Sequence, residues 1–321
     1  MNYMRYLDRL ITSEVLPNAY KEWRGYRQKL TDFIEENCVA EGGRKPVLAI
    51  WGAGWSNDID LARLAERFKL VLIDRDAEGL AQACKTYGLE EADAICVDLP
   101  FWNVELETYE MFEALLAEGE EAEIVIEHLQ QVAFDNSHRV LPDIGRRFDY
   151  SVCVGLHSQL NARFAGLLYM YRDNYDEEEL QMIENAIRAL NEAAVTRTND
   201  VVYMLTEKMM VFGLEWAVVN ETTMNNWGIE DAEMAGLLIE ADASVPAGDS
   251  YGVIGYEQLA DLWENLVPED IEGALQLRHD IGMHKDFDIR IEAERRLFWP
   301  FAWKERKKGY VMELLAVQPL E

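Results

Sequence analysis

The chain has 321 residues, 49% of them hydrophobic, which is enough for a sizeable core in one large domain or two small ones and excludes wholesale disorder. Its formal net charge of −30, from 60 acidic and 30 basic residues, argues against a nucleic-acid polymer or an anionic membrane as partner, because like charges repel. A role of this charge in solubility alone is the simpler interpretation.

The cysteines and the first residues of the chain bear on the compartment. The four cysteines form no CxxC pair, and Cys96 and Cys153 lie in apolar runs where we expect small core residues. The start, MNYMRYLDRL, has no apolar core like that of a signal peptide, and no uninterrupted apolar run is long enough to span a bilayer. We therefore expect a cytoplasmic protein.

The first part of the chain is predicted to be largely helical, to about residue 38, because its apolar residues recur at helical spacing. The aromatic stripe that includes Trp23 and Tyr26 either belongs to the core or covers a ligand as a lid. A linker, EGGRKP, follows at 41–46. We expect a helical cap over 1–40 and one domain over 41–321.

Strands and helices then alternate. The predicted elements are strand 47–51, helix 58–68 with Ser56 or Asn57 as N-cap, strand 69–74, helix 77–87 and strand 92–99. Short strands that alternate with helices in this way predict an α/β fold with parallel pairing and right-handed crossovers.

The second half of the chain is predicted in less detail. We expect helix within 100–147, strand 150–156, helix 176–194, strand 208–219, helix 256–266 within a less regular segment 222–286, and strands 295–303 and 309–317 joined by KERKK. Pro300 predicts that strand 295–303 is irregular or lies at an edge of the sheet, because proline cannot donate to a neighbouring strand.

A pair of glycines ends the first predicted strand. Gly52 and Gly54 follow VLAIW and precede a helix, and bare backbone in this position can approach a ligand beside the helix N-terminus. The dinucleotide fingerprint requires a third glycine or alanine where this chain has Asn57, so the pyrophosphate interpretation is weakened.

Acidic residues end the next two strands. Asp74 lies twenty residues after Gly54, where a carboxylate can accept hydrogen bonds from ribose hydroxyls, and Asp98 ends the third strand, where it can accept one from an adenine amino group. An alternative is that Asp76 caps the following helix and Asp74 is merely its neighbour. Gly-x-Gly, Asp and Asp on three successive strands together predict nucleoside binding.

The sequence here resembles class I S-adenosylmethionine-dependent methyltransferases. The matching segments are VLAIWGAGWSNDIDLARLA, KLVLIDRD, ADAICVDL and YSVCVGLHSQL, together with the closing hairpin around RLFWPFAW and GYVMELLAV. The resemblance implies a doubly wound, mostly parallel, seven-stranded sheet of the Rossmann-like methyltransferase type, with the last strand antiparallel. It implies that the cofactor is S-adenosyl-L-methionine, with Gly52 and Gly54 beside its methionine part, Asp74 on its ribose and Asp98 near its adenine. The segments near 100–147 and 222–290 would be helical insertions.

His157 is the candidate catalytic residue, because it follows the fourth strand, where a methyl acceptor would lie. It can act as a base or orient the substrate; the alternative is a structural histidine bonded to a loop. Ser158 and Gln159 either touch substrate or begin the next helix. His279 and His284 are five residues apart, which is poor spacing for two ligands on one helix face, and we predict no metal site.

Three functions remain open. The first is methyl transfer to an unidentified small molecule or protein side chain, since the D/N-P-P-Y signature of amino-methylating nucleic-acid enzymes is absent after strand 150–156. The second is a protein of the same fold that binds the cofactor or a partner without catalysis. The third, a nicotinamide-dependent oxidoreductase, is disfavoured by Asn57.

Overall fold

The computed structural model describes residues 16–39, 43–91, 93–98, 104–138, 147–222, 225 and 289–320. The strands are β1 Val47–Trp51, β2 Lys69–Asp74, β3 Ala94–Asp98, β4 Phe148–Val154, β5 Thr206–Val219, β6 Ile289–Ala302 and β7 Lys308–Pro319. The α-helices are α1 Leu16–Glu22, α2 Arg24–Asn37, α3 Leu61–Arg67, α4 Ala77–Tyr87, α5 Leu106–Glu118, α6 Ala122–Ser137, α7 Ala162–Tyr171, α8 Glu177–Leu205 and α9 Trp303–Arg306. Short 3₁₀ turns span His157–Gln159 and Arg172–Asn174.

One sheet contains the seven strands of the described residues, in the order β3-β2-β1-β4-β5-β7-β6. The strands from β3 to β5 pair in parallel, and β7 is antiparallel to both β5 and β6. The order reverses between β1 and β4, because the chain proceeds outward from β1 to β3 and then returns to the other side of β1. Ligands bind at such a switch point in open α/β sheets. The predicted fold class is confirmed.

Both faces of the sheet are covered, which explains the uninterrupted apolar run of β1. Val47, Ala49 and Trp51 belong to one core cluster, which also contains residues of α5, α6, α7 and α8. Leu48 and Ile50 belong to a second cluster, with residues of α2, α3 and α4. Successive side chains of a strand point to opposite faces, so a strand covered on both sides must be apolar throughout.

The predicted bounds of helices α3 and α4 differ in how well they agree with the structure. The helix cap assignments differ in the same way. The helix predicted at 58–68 begins at Leu61, and its N-cap is Asp60, whose side chain accepts a hydrogen bond from the Arg63 amide at 3.2 Å. Ser56 is not the cap, because its φ of 48° places it in a tight left-handed turn. The helix predicted at 77–87 has exactly these bounds, and Asp76 caps it as the alternative interpretation stated.

Strands β1 and β2 have their predicted bounds, and the later predicted strands and helices match in type and differ in length. Helix 176–194 continues to Leu205, and a capping box of Asp176 and Glu179 fixes its start. The polar segment 100–147 contains α5 and α6. Strand β6 begins at Ile289, well before the predicted start at 295, and its pairing with β7 shifts between Trp299 and Ala302, around Pro300, as expected for an irregular edge strand.

Some predictions lie outside the described residues or need correction. The helix at 256–266, the insertion near 222–290 and the first fifteen residues of the proposed cap are outside the described ranges. The division of the chain at residue 40 stays a prediction. Cys153 is buried as expected, whereas Cys96 is exposed, because β3 ends the strand order and α4 covers it only in part.

None of the helices in the described ranges combines the length and apolarity that a bilayer crossing requires.

Candidate cofactor and acceptor site

The two glycines after β1 adopt conformations that favour glycine. Gly52 has a φ of +69° and Gly54 a φ of +43°, both in the left-handed region. The amides of Gly52 and Ala53 donate to the Ile73 carbonyl at 2.9 and 3.1 Å, so the turn is held against the end of β2. A tight glycine turn is therefore present at the carboxyl end of β1.

Asp74 is tied to this turn. Its Oδ2 accepts a hydrogen bond from the Gly54 amide at 2.8 Å, and its Oδ1 accepts one from the Asp76 amide at 2.8 Å. Partial burial raises the pKa of the Asp74 carboxyl, and the two amide hydrogen bonds act in the opposite direction. Asp74 thus joins the ends of β1 and β2, and Asp76 caps α4 independently of it.

Asp98 ends the strand next to Asp74. The two residues are Cα partners in the parallel pairing of β2 and β3, so their backbones lie side by side at one edge of the sheet. The structure brings Gly52, Gly54, Asp74 and the backbone of Asp98 together along three adjacent strand ends. These are the positions that the sequence selected.

The loop after β4 closes the other side of the switch point. A Cβ added to Gly52 would lie 2.9 Å from Cδ1 of Leu156, so the Leu156 side chain packs directly on that glycine. Gly155, with a φ of +65°, precedes it. The loops after β1 and β4 therefore meet over the point where the strand order reverses.

His157 faces away from these strand ends. Its side chain is 1% exposed, its Nε2 lies 2.9 Å from Oδ1 of Asn199 on α8, and its ring lies 6.2 Å from that of Phe212. Burial lowers the pKa of His157 to about 4, so the imidazole is neutral at pH 7. This environment favours the structural alternative over a role as base.

A second group of polar side chains lies beside the turn, and we call it the Tyr26 cluster. It consists of Tyr26, Asn57, Asp58, Ser158, Glu215 and Trp299. The Tyr26 and Trp299 rings stack with centroids 5.6 Å apart and planes 17° apart, and Ser158 Oγ donates to Glu215 Oε1 at 2.8 Å.

The Tyr26 hydroxyl is buried, and the charges of two carboxylates act on it. Its pKa is raised well above the usual value, first by burial and then by the negative charges of Asp58 and Glu215. Asp58 is half-buried, and burial raises its pKa to about 6, while the Arg27 guanidinium opposes the shift. Glu215 is 2% exposed. The cluster therefore places two acids beside a buried phenol.

Sequence reasoning found only part of this cluster. Tyr26 appeared in an aromatic stripe with Trp23, and both residues are buried against Trp299. The signal that could have revealed the rest is Glu215, an acid inside the apolar strand KMMVFGLEWAVV. Acidic side chains are rarely buried unless they are paired, so an acid in such a run marks a special position.

No protein-family model matches the chain, and no curated protein matches its sequence. Among solved structures, the chain is similar to the N-methyltransferase NodS from Bradyrhizobium japonicum, with 10% identity over 93% of this chain and 98% of that one and a TM-score of 0.38. It is also similar to the magnesium protoporphyrin IX methyltransferase from Synechocystis, solved with bound S-adenosylhomocysteine (9% identity; 92% and 83% covered; TM-score 0.38). A third is an S-adenosylmethionine-dependent methyltransferase from Methanosarcina mazei (10% identity; 90% and 97% covered; TM-score 0.38).

These likenesses are too weak to carry an argument, and the assignment of the fold depends on the topology of the sheet itself. The sheet order with β1 and β4 at its centre and an antiparallel β7 between β5 and β6 is the arrangement that the sequence resemblance implied. The chain has the Rossmann-like fold of the class I S-adenosylmethionine-dependent methyltransferases.

Proposed function

We propose that the protein binds S-adenosylmethionine at the carboxyl ends of β1, β2 and β3 and transfers its methyl group to a small molecule or a protein side chain. The observation that carries the proposal is the hydrogen bond between the Gly54 amide and Asp74, which joins the ends of β1 and β2 beside the switch point of the sheet. It holds a glycine turn and a carboxylate in one rigid arrangement, where open α/β sheets bind ligands.

The residues at this position fit the cofactor. A Cβ at Gly54 would lie 3.7 Å from Asp74 Oδ2, so any side chain there would fill the space beside the carboxylate. Each oxygen of Asp74 already accepts one amide, and a carboxylate oxygen has a second lone pair for a ribose hydroxyl. By the family resemblance, Asp98 belongs to the adenine end of the site.

S-adenosylmethionine supplies an activated methyl group, so the chain needs to position its ligands and exclude water rather than provide a nucleophile. Leu156 on Gly52 and the stacked rings of Tyr26 and Trp299 supply apolar walls beside the glycine turn. Methyl transfer therefore does not require a recognisable catalytic motif in the sequence.

The experiment is calorimetry with S-adenosylmethionine, S-adenosylhomocysteine and NAD, followed by transfer of a radiolabelled methyl group to a panel of acceptors. Binding of both adenosyl ligands, without NAD binding, supports the proposal. Binding of NAD alone would instead support a nicotinamide-dependent oxidoreductase, the function that Asn57 disfavours. Failure of all three to bind would remove the cofactor site.

A cofactor-binding protein without catalysis is the alternative, and the burial of His157 favours it, because the one catalytic candidate from the sequence is neutral and enclosed. Turnover decides between the two. Tight binding of S-adenosylmethionine with no methyl transfer to protein or small-molecule acceptors would support the alternative.

A further inference from the structure

The Tyr26 cluster adjoins the proposed cofactor site through two consecutive residues. Leu156 packs on Gly52 of the glycine turn, whereas the position of a Cβ on Gly155 would lie 3.6 Å from the Trp299 ring and 3.7 Å from Glu215 Oε1. Asn57 and Asp58 continue the same loop that contains the glycines. A molecule held in the cluster would therefore lie next to the reactive end of a cofactor held over the turn.

Three hydrogen-bond donors of the cluster are buried without a partner within the described ranges. These are the hydroxyl of Tyr26, the side-chain amide nitrogen of Asn57 and the indole nitrogen of Trp299, in residues 3%, 5% and 4% exposed. Leaving such groups unpaired costs about 1–3 kcal/mol each. A ligand would recover this cost by donating a hydrogen bond to the Tyr26 oxygen and by presenting acceptor atoms to the two N–H groups, which can only donate.

The other members of the cluster indicate the charge of that ligand. Glu215 is a buried carboxylate oriented by Ser158, and its Oε1 and the edge of the Trp299 ring both lie within 4 Å of the Cβ position at Gly155. A buried carboxylate pairs with an ammonium group through charge-assisted hydrogen bonds, and the oxygen of the Tyr26 hydroxyl can accept a further one. The nearby guanidinium of Arg27 is engaged by the Tyr20 and Asn57 carbonyls at 2.6 and 2.9 Å.

We infer that the methyl acceptor is an amine, and that its nitrogen lies at the Glu215 carboxylate, on the side of the Tyr26 cluster that Gly155 borders. This inference rests on the proposed function. The bound ammonium first gives up one proton, which the Glu215 carboxylate is placed to accept. The freed nitrogen lone pair then forms the new C–N bond while the S–C bond breaks with its electron pair going to sulfur.

The test uses matched acceptors with the full-length protein. n-Butylamine, benzylamine and putrescine are compared with n-butanol, benzyl alcohol and 1,4-butanediol, with methyl-labelled S-adenosylmethionine as donor. We expect label in at least one amine and in none of the alcohols. Calorimetry of the same compounds with the S-adenosylhomocysteine complex gives a readout that does not depend on turnover. Label in alcohols alone, or neither binding nor methylation of any amine, would overturn the inference.

Two variants test whether the Tyr26 cluster binds the methyl acceptor. Glu215→Gln should weaken amine binding by about 10- to 100-fold, as expected for the loss of a hydrogen bond to a charged group. Tyr26→Phe removes a hydroxyl without a partner in the described structure, so it should leave the melting temperature unchanged. It should weaken amine binding by about threefold or more. This variant is therefore decisive if Glu215→Gln fails to fold. Asp173→Asn, whose side chain is 99% exposed, is the control for loss of a surface charge.

Binding measurements with the cofactor itself distinguish the remaining outcomes. If Glu215→Gln weakens S-adenosylmethionine but not S-adenosylhomocysteine, the cluster recognises the cofactor's positive sulfonium, and the amine inference is wrong. If neither cofactor binds the wild-type protein, the proposed function fails. If both bind and no amine does, only the inference fails.

Discussion

The amide of Gly54 donates a hydrogen bond to Oδ2 of Asp74 at 2.8 Å, across the gap between the ends of β1 and β2. The other oxygen of the same carboxylate accepts the Asp76 amide at the start of α4. One side chain thereby fixes a glycine turn, a strand end and the approach to a helix. The geometry of the candidate cofactor site depends on it.

Replacement of this side chain should weaken cofactor binding. We expect Asp74→Ala to raise the Kd for S-adenosylhomocysteine by about 10- to 100-fold, because hydrogen bonds from the ribose to a carboxylate are lost together with the support of the turn. Calorimetry measures the effect, with Asp173→Ala as the exposed control. An unchanged Kd would remove Asp74 from the site.

The contact between Gly52 and Leu156 can be tested by a matched pair of glycine substitutions. Gly52 and Gly88 have φ values of +69° and +63°, so alanine at either position incurs about 1–2 kcal/mol of left-handed strain. A Cβ at Gly52 would also lie 2.9 Å from Leu156 Cδ1, whereas at Gly88 nothing lies within 4 Å. Chemical denaturation should show that Gly52→Ala lowers the free energy of unfolding by about 1–3 kcal/mol more than Gly88→Ala does.

Truncation of Leu156 provides the cross-check for that pair. In the double variant Gly52→Ala, Leu156→Ala, the extra cost of the alanine at 52 should largely disappear, because the opposing side chain is gone. Equal costs at positions 52 and 88 in the wild-type background would contradict the packing of the two loops.

The pKa of Asp58 leads to a dependence of stability on pH. Burial raises this pKa to about 6 in the folded protein, above the usual unfolded value of about 3.9. Protons are therefore held more tightly by the folded state, and this contribution to stability is lost as the pH rises through about 6.

The variant Asp58→Asn isolates this effect from other titrating groups. Relative to that of the wild type, its free energy of unfolding should increase by about 1 kcal/mol between pH 5 and pH 8, because asparagine does not ionise. Denaturant titrations of both proteins at the two pH values provide the measurement. A difference that is independent of pH would show that Asp58 titrates near its ordinary pKa.

His157 should behave as a structural residue. His157→Ala leaves Asn199 without its 2.9 Å partner and creates a cavity, so we expect the free energy of unfolding to fall by about 2–4 kcal/mol. The Kd for S-adenosylhomocysteine should change little, because the ring faces α8. His138→Ala, at an exposed position, is the control. Normal stability combined with lost turnover would instead support the catalytic interpretation.

Local patterns in the sequence sufficed for most of the sheet and for the cofactor candidates. The apolar runs of β1 and β2 predicted both strands with the bounds that the structure has, because strands covered on both faces are apolar at their buried positions; the polar residues Lys69 and Asp74 occupy the half-buried ends of β2. Gly52, Gly54 and Asp74 could be selected because a strand end, a missing side chain and an acid each have a local signature.

The Tyr26 cluster and the place of His157 were decided only by the tertiary structure. Tyr26 and Trp299 are 273 positions apart in the sequence, and Glu215 lies between them on a third element, so no local window contains their contact. His157 follows β4 as expected, but it begins a 3₁₀ turn, and its ring lies against Asn199 on α8. The pattern of apolar residues along the chain determines which face of a helix or strand is apolar. Only the packing of the folded chain determines which distant side chains that face contacts.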